Sequence, residues 1–248
     1  MIRWSSGKRG LGAAAAFAAT ILALTGISLA AKGELSFQQR VPEFDIGNAT
    51  SLTVSPDGKH LYATGSSGDS ISAFSINPGG DDYSFVETEI DGIDDGADAG
   101  GAVDGLNSAD DAAVSPDGKH VYVVGAFDDA IAIFDRNSST GGLSFSEAAR
   151  DTIGTDELDR PEGVAVSDDG DYVYAVSNLD DSILVFKRDT GDGSLSQVEV
   201  ETDGIDDAGD AGGTVDGMQE PSSVAVAPDG EGSTSCLLYT SPSPRDKS

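Results

Sequence analysis

One short stretch, repeated four times, constrains this chain more than any other feature. Its clearest copy is AVSPDGKHVYVV, residues 113–124. The others read LTVSPDGKHLYATG from Leu52, VAVSDDGDYVYAVS from Val164 and VAVAPDG from Val224. Each copy starts with a β-branched run and a tight turn, and the three longer copies continue into a second such run. Pro116 presets φ at the first corner of a type I turn, Asp117 accepts the second, and Gly118 takes the left-handed position that follows. Each copy is therefore read as a hairpin, and four copies predict a repeat protein.

The second repeat shows the unit. Strands are expected near 111–114, 120–125, 130–136 and 143–150. In the third strand, Ile131 and Ile133 point to one face, and Ala132 and Phe134 to the other. Both faces are apolar, so the sheet must be covered on both sides. Four-stranded sheets of this kind stack as the blades of a β-propeller. The expected fold class is thus all-β, a propeller of four-stranded blades that is incomplete. It comprises about three whole blades, an N-terminal outer strand at 33–37 and the first strand of a fourth blade.

The turn glycines Gly58, Gly118, Gly170 and Gly230 are spaced by 60, 52 and 60 residues. The longer intervals hold near-duplicate inserts, DGIDDGADAGGAVDGL from Asp91 and DGIDDAGDAGGTVDGM from Asp203. Both inserts join the last strand of one blade to the first of the next. That connection lies at the same end as the acidic loops at Asp69, Asp128-Asp129 and Asp180-Asp181, so a negative rim is expected there. Asp94, Asp95, Asp206 and Asp207 are the candidate metal ligands, with calcium the cofactor that several carboxylates would suit. The competing expectation is two solvated Gly/Asp loops, anchored by Ile93 and Leu106 in one copy and by Ile205 and Met218 in the other.

Net charge is −30 over the whole chain. It disfavours nucleic acid, anionic membranes and anionic substrates as partners. Residues 1–30 read as a signal peptide: Arg3, Lys8 and Arg9 precede an apolar run that ends in Ser28-Leu29-Ala30. The expected location is periplasmic or secreted, with no membrane span after cleavage. Residues 33–235 form the partial propeller. Residues 236–248, which contain the single cysteine, Cys236, interrupt the fourth repeat and resemble translated sequencing-adapter DNA, so they are read as non-native.

His60 and His120 share one repeat slot, as do Arg136 and Arg188. Repeat-matched residues of this kind are expected to be structural, with the arginines paired to nearby acids. No phosphate loop, serine elbow or Cys/His metal cluster is present.

The repeat VAVSPDGKHVYVVG-type hairpin, a third strand ending Phe134-Asp135-Arg136, and the following TGGLSF resemble the lactonase-like seven-bladed β-propeller family and its YVTN-repeat relatives. The similarity runs from about Gly33 to Gly230. It implies a propeller fold, and a family that contains a 6-phosphogluconolactonase, a cycloisomerase and many exported members of unassigned role. Two functions follow as expectations. The first is an exported scaffold presenting a loop face to a ligand or protein. The alternative is a lactone hydrolase, or related carbonyl enzyme, using a cation at the acidic rim. The catalytic residues are not assigned.

Overall fold

The computed structural model describes residues 47–77, 82–96, 98–150, 157–204 and 217–227, together with the backbone of three further short strands. Among the described residues no helix is long and apolar enough to cross a membrane.

Sixteen strands follow in chain order. β1 (Ile27–Leu29) pairs with β2 (Leu35–Phe37). The first blade is β3 (Ala49–Val54), β4 (His60–Gly65), β5 (Ser70–Ile76) and β6 (Tyr83–Ile90). The second is β7 (Ala109–Val114), β8 (His120–Gly125), β9 (Ala130–Arg136) and β10 (Leu143–Arg150). The third is β11 (Pro161–Val166), β12 (Tyr172–Ser177), β13 (Ser182–Arg188) and β14 (Leu195–Thr202). β15 (Ser223–Ala227) pairs with β16 (Cys236–Thr240). Each blade is an antiparallel meander whose strands neighbour one another in sequence order.

The hairpin turns form as their residues dictate. Gly118 N–H donates to Ser115 O at 2.8 Å, and Gly118 lies at φ 70°. The Ser115 hydroxyl donates to Asp117 Oδ1 and accepts the His120 N–H, closing the turn from inside. Ser55 and Ser167 do the same in the other blades.

The two apolar faces of the second blade enter two different cores. Val121, Val123, Ala132 and Phe134 pack with Tyr62, Ile71 and Ala73 of the first blade. Tyr122, Val124, Ile131 and Ile133 pack with Val173, Ala175, Leu184 and Phe186 of the third. This face-to-face stacking places β3, β7 and β11 side by side as the innermost strands, while β6, β10 and β14 are outermost. Each outermost strand carries a bulge, at Val86, Ser146 and Val198, which twists the exposed edge.

Two further pairings lie outside the three blades. Leu35–Phe37, the expected N-terminal strand, pairs with Ile27–Leu29. The strand position after the fourth turn is filled by Cys236–Thr240. In both, a short strand satisfies its backbone on the edge within reach.

Candidate functional site

Four groups of polar residues stand out, and the structure separates those that build the fold from those with chemistry to spare.

At the turn end, the guanidinium of Arg136 is buried between two blades. Its Nε donates to Tyr62 Oη at 2.7 Å, Nη1 to Gly118 O at 2.7 Å, and Nη2 to the Asp57 carboxylate and to His60 Nδ1. An arginine has no acceptor, so His60 accepts at Nδ1 and is the neutral Nε2–H tautomer. Arg188 repeats the same set with Tyr122, Gly170, Asp117 and His120. Burial, then the arginine beside it, lowers each histidine below its ordinary value. Burial raises the Asp57 carboxyl, but Ser55, Lys59 and Arg136 outweigh it and hold it at about 2. The expectation that the arginines pair with acids is met, with one addition: the acid belongs to the preceding blade.

At the rim, a second latch recurs. Asp69 Oδ1 accepts Ser108 N–H, Asp129 Oδ1 accepts Arg160 N–H, and Asp181 Oδ1 accepts Glu220 N–H. All six residues have positive φ, and with Asn48 they are the only non-glycine residues that do among those described. Much of the rim acid therefore caps backbone. Asp128 and Asp180 cap Asn107 and Asp159 in the same way.

The third group is the first insert. Carboxylate oxygens of Asp94, Asp95 and Asp98 lie within 4.8 Å of one another. The candidate pair Asp94 and Asp95 is thus brought together, with Asp98 as a third member. Asp206 and Asp207 lie outside the described residues. The loop is anchored by Val103 and Leu106, both essentially unexposed, whereas the expected anchor Ile93 is 54% exposed. Val103 N–H bonds Ile93 O, so the backbone holds while the isoleucine side chain turns outward. Beyond this closure the loop reaches the outermost strand: Phe145 N–H donates to Asp98 Oδ1 at 2.6 Å, and Gly100 N–H donates to Phe145 O. Met218, expected as the second loop's anchor, is also fully buried, while Ile205 lies outside the described residues.

The fourth group was not evident from the sequence. At the rim end of the innermost strands, Asp110 on β7 faces Glu162 on β11, and Arg160 Nε lies 3.2 Å from Glu162 Oε1. Burial, then Glu162, pushes the Asp110 carboxyl up to about 6, with Arg160 opposing. Burial also raises Glu162, against the pull of Arg160. These residues break the repeat. Their slot holds Thr50 in the first blade and Ser222 in the fourth copy, which is the signal that could have found them. Asp110 and the Asp98 cluster sit on opposite edges of the second blade, three strand spacings or about 14 Å apart. A cation at Asp94 and Asp95 would not reach chemistry at Asp110.

Comparison with known proteins agrees with this architecture. The family model "Lactonase, 7-bladed beta-propeller" matches residues 95–205. No curated protein sequence matches the chain. Among solved structures, a periplasmic gluconolactonase of Pseudomonas aeruginosa is similar at 20% identity and TM-score 0.55, covering 82% of this chain and 45% of its own. A candidate 6-phosphogluconolactonase from Bacteroides uniformis is similar at 21% identity and TM-score 0.56, covering 72% and 51%. A further candidate 6-phosphogluconolactonase, from Bacteroides fragilis, gives 20% identity and TM-score 0.53, covering 79% and 42%. The chain thus spans about half the length of the structures it matches. By its stacked four-stranded blades the chain is an incomplete β-propeller, and over residues 95–205 it is similar to the lactonase-like propellers.

Proposed function

We propose that this is an exported hydrolase of neutral lactones, with Asp110 and Arg160 acting on the substrate. The observation that carries the reading is the repeat-breaking pair of carboxyls, Asp110 and Glu162, at the head of adjacent innermost strands. A carboxyl held at about 6 is matched to proton transfer near neutral pH. In this reading, ionised Asp110 takes a proton from water, and the water oxygen adds to the lactone carbonyl carbon. Arg160, steadied by Glu162, bears the charge that develops on the carbonyl oxygen. The ring C–O bond then breaks, the ring oxygen takes the proton back from Asp110, and a hydroxy acid leaves. Net charge of −30 favours an uncharged lactone over a phosphorylated one. The similarity to a periplasmic gluconolactonase, together with the signal-like residues 1–30, supports an extracytoplasmic location.

The test is release of acid from glucono-δ-lactone by the purified protein. The expected rate exceeds background, rises through about pH 6, and falls about a hundredfold in Asp110→Asn. Background rates at every pH would sink the hydrolase.

A second reading, a ligand- or protein-binding scaffold, has one observation in its favour. His60, His120, Arg136 and Arg188, the residues with the most obvious chemistry, are all occupied inside the latches between blades. Should hydrolysis fail, this reading stands.

A further inference from the structure

The rim loops carry a second departure from the repeat. In each blade, the loop between the second and third strands is closed by one bond onto the segment ahead of the innermost strand. Ser67 N–H donates to Gly47 O at 2.9 Å in the first blade, Phe127 N–H to Asn107 O at 3.0 Å in the second, and Leu179 N–H to Asp159 O at 3.4 Å in the third. These three tips are therefore one structural slot, and all three are exposed. The first blade fills it with serine. The other two fill it with large apolar side chains, Phe127 at 68% exposure and Leu179 at 58%.

One exposed leucine needs no explanation. Here the apolar tip changes in step with a second slot. Ser67 occurs in the blade that holds Thr50, Phe127 in the blade that holds Asp110, and Leu179 in the blade that holds Glu162. The blades that break the repeat with a carboxyl at the head of the innermost strand are the blades that break it with an apolar tip.

Both tips flank one group. Arg160 N–H is held at 3.0 Å by Asp129, on the loop of Phe127. Arg160 O accepts the N–H of Asn178, the residue before Leu179, at 3.1 Å. The backbone of Arg160 is thus gripped from both sides, by one loop with Phe127 at its tip and one with Leu179. Its side chain is 44% exposed. The loops are themselves fixed, because Asp128 caps Asn107 N–H and Asp180 caps Asp159 N–H. Apolar side chains presented on fixed backbone lose little further entropy when a ligand covers them.

We propose that Phe127 and Leu179 form an apolar clamp beside Arg160 that takes the hydrocarbon chain of an uncharged, alkyl-substituted lactone. Its assignment to a lactone rests on the hydrolase reading of Arg160, and it narrows the substrate to one class. With its carbonyl at the guanidinium, such a molecule lays its chain against one tip or the other and removes apolar surface from water. A polyhydroxylated ring sets hydroxyls against the same surfaces, and an anionic one meets the acidic rim.

The test compares kcat/KM of the purified protein on γ-decalactone, which carries a hexyl chain, with that on γ-butyrolactone, which carries none. Calorimetric binding of 3-hexylcyclopentanone, the carbocyclic ketone that cannot be hydrolysed, is measured alongside. The expected ratio of the two kcat/KM values is at least ten in favour of the chain. Phe127→Ser and Leu179→Ser install the residue that the first blade carries in this slot, so the loop chemistry is kept. Each should lower the ratio at least threefold and weaken the ketone by a similar factor, and the double variant should bring the ratio close to one. Phe127→Leu should keep most of the preference. A ratio near one in the wild type, or a preference that survives in the double variant, would overturn the clamp. The two readings fail separately. Hydrolysis of both lactones without chain preference removes the clamp and leaves the hydrolase. Ketone binding that depends on Phe127 and Leu179, with neither lactone turned over, removes the hydrolase and leaves the clamp. Neither hydrolysis nor ketone binding removes both.

Discussion

Arg136 and Tyr62 lie 74 residues apart and on different blades, yet the guanidinium Nε–H meets the phenol oxygen at 2.7 Å. The same guanidinium binds Asp57, His60 and Gly118, so one side chain ties the turn of one blade to the third strand of the next. Replacing it with Met removes the donor to the buried Tyr62 oxygen and His60 Nδ1 and the counter-charge of Asp57. Urea denaturation of Arg136→Met and of Arg188→Met should each show a loss of about 3 kcal/mol. Arg136→Lys should recover less than half, because an ammonium cannot fork among four acceptors. Full recovery by lysine would mean that charge alone, and not the latch, matters.

The turn glycines offer a comparison within one molecule. Gly58 and Gly118 have nearly the same φ, 68° and 70°. A Cβ at Gly58 meets nothing within 4 Å, whereas at Gly118 it lies 3.1 Å from Arg136 Nη1. Gly58→Ala should therefore show only the left-handed penalty, about 1–2 kcal/mol. Gly118→Ala should lose more, because it also presses on the latch. Equal melting temperatures for the two variants would count against that coupling.

Stability should depend on pH with a sign that separates the two ends of the blades. Asp57 and Asp117 are held at about 2, below the ordinary 3.8, so their contribution is present above about pH 4 and lost toward pH 2. The lowered histidines likewise lose stability for the protein as pH falls below 6.5. Glu89 acts the other way. Raised from 4.5 to about 8, it binds its proton more tightly folded than unfolded, so stability falls as pH rises between those values. Asp110, raised to about 6, adds to that fall only in its lower part. Melting temperature should decline from pH 6.5 to 8, and Glu89→Gln should flatten the decline. A rise over that range would contradict the burial of Glu89.

How much of this was legible in the sequence depends on how local the cause was. The hairpins and the two-faced blades follow from residues whose spacing within one repeat fixes their geometry, whereas the acid that pairs with Arg136 comes from the preceding blade and only the pairing itself could be expected. Glu89 was not legible. It lies between Thr88 and Ile90 on an outer strand, a position that reads as solvent-facing, yet it is 3% exposed. Asp110 and Glu162 were missed for a related reason: their neighbours across the innermost strands come from other blades. Only the contrast with Thr50 and Ser222 in the same slot marks them. Ile93 misled because the insert is anchored through its backbone and through Val103, not through its first apolar side chain.

The rim latch connects stability to the proposed chemistry. Asp129 sits at φ 50° and its carboxylate holds the N–H of Arg160 at 3.0 Å, and Arg160 itself sits at φ 57°. Asp181 makes the same bond to Glu220, which the proposed reaction does not use directly. Asn tolerates the left-handed region and keeps an acceptor oxygen, so Asp129→Asn should be close to wild type in both melting and turnover. Alanine loses the bond and strains the backbone, so Asp129→Ala and Asp181→Ala should each lose about 2 kcal/mol. Their catalytic effects should part. Asp129→Ala frees the backbone that positions Arg160, and a misplaced guanidinium should lower kcat on a neutral lactone about tenfold. Asp181→Ala should leave kcat within twofold of wild type once both are assayed well below their melting temperatures. Equal loss of turnover in the two alanine variants would trace the effect to general destabilisation and remove Arg160 from the reaction.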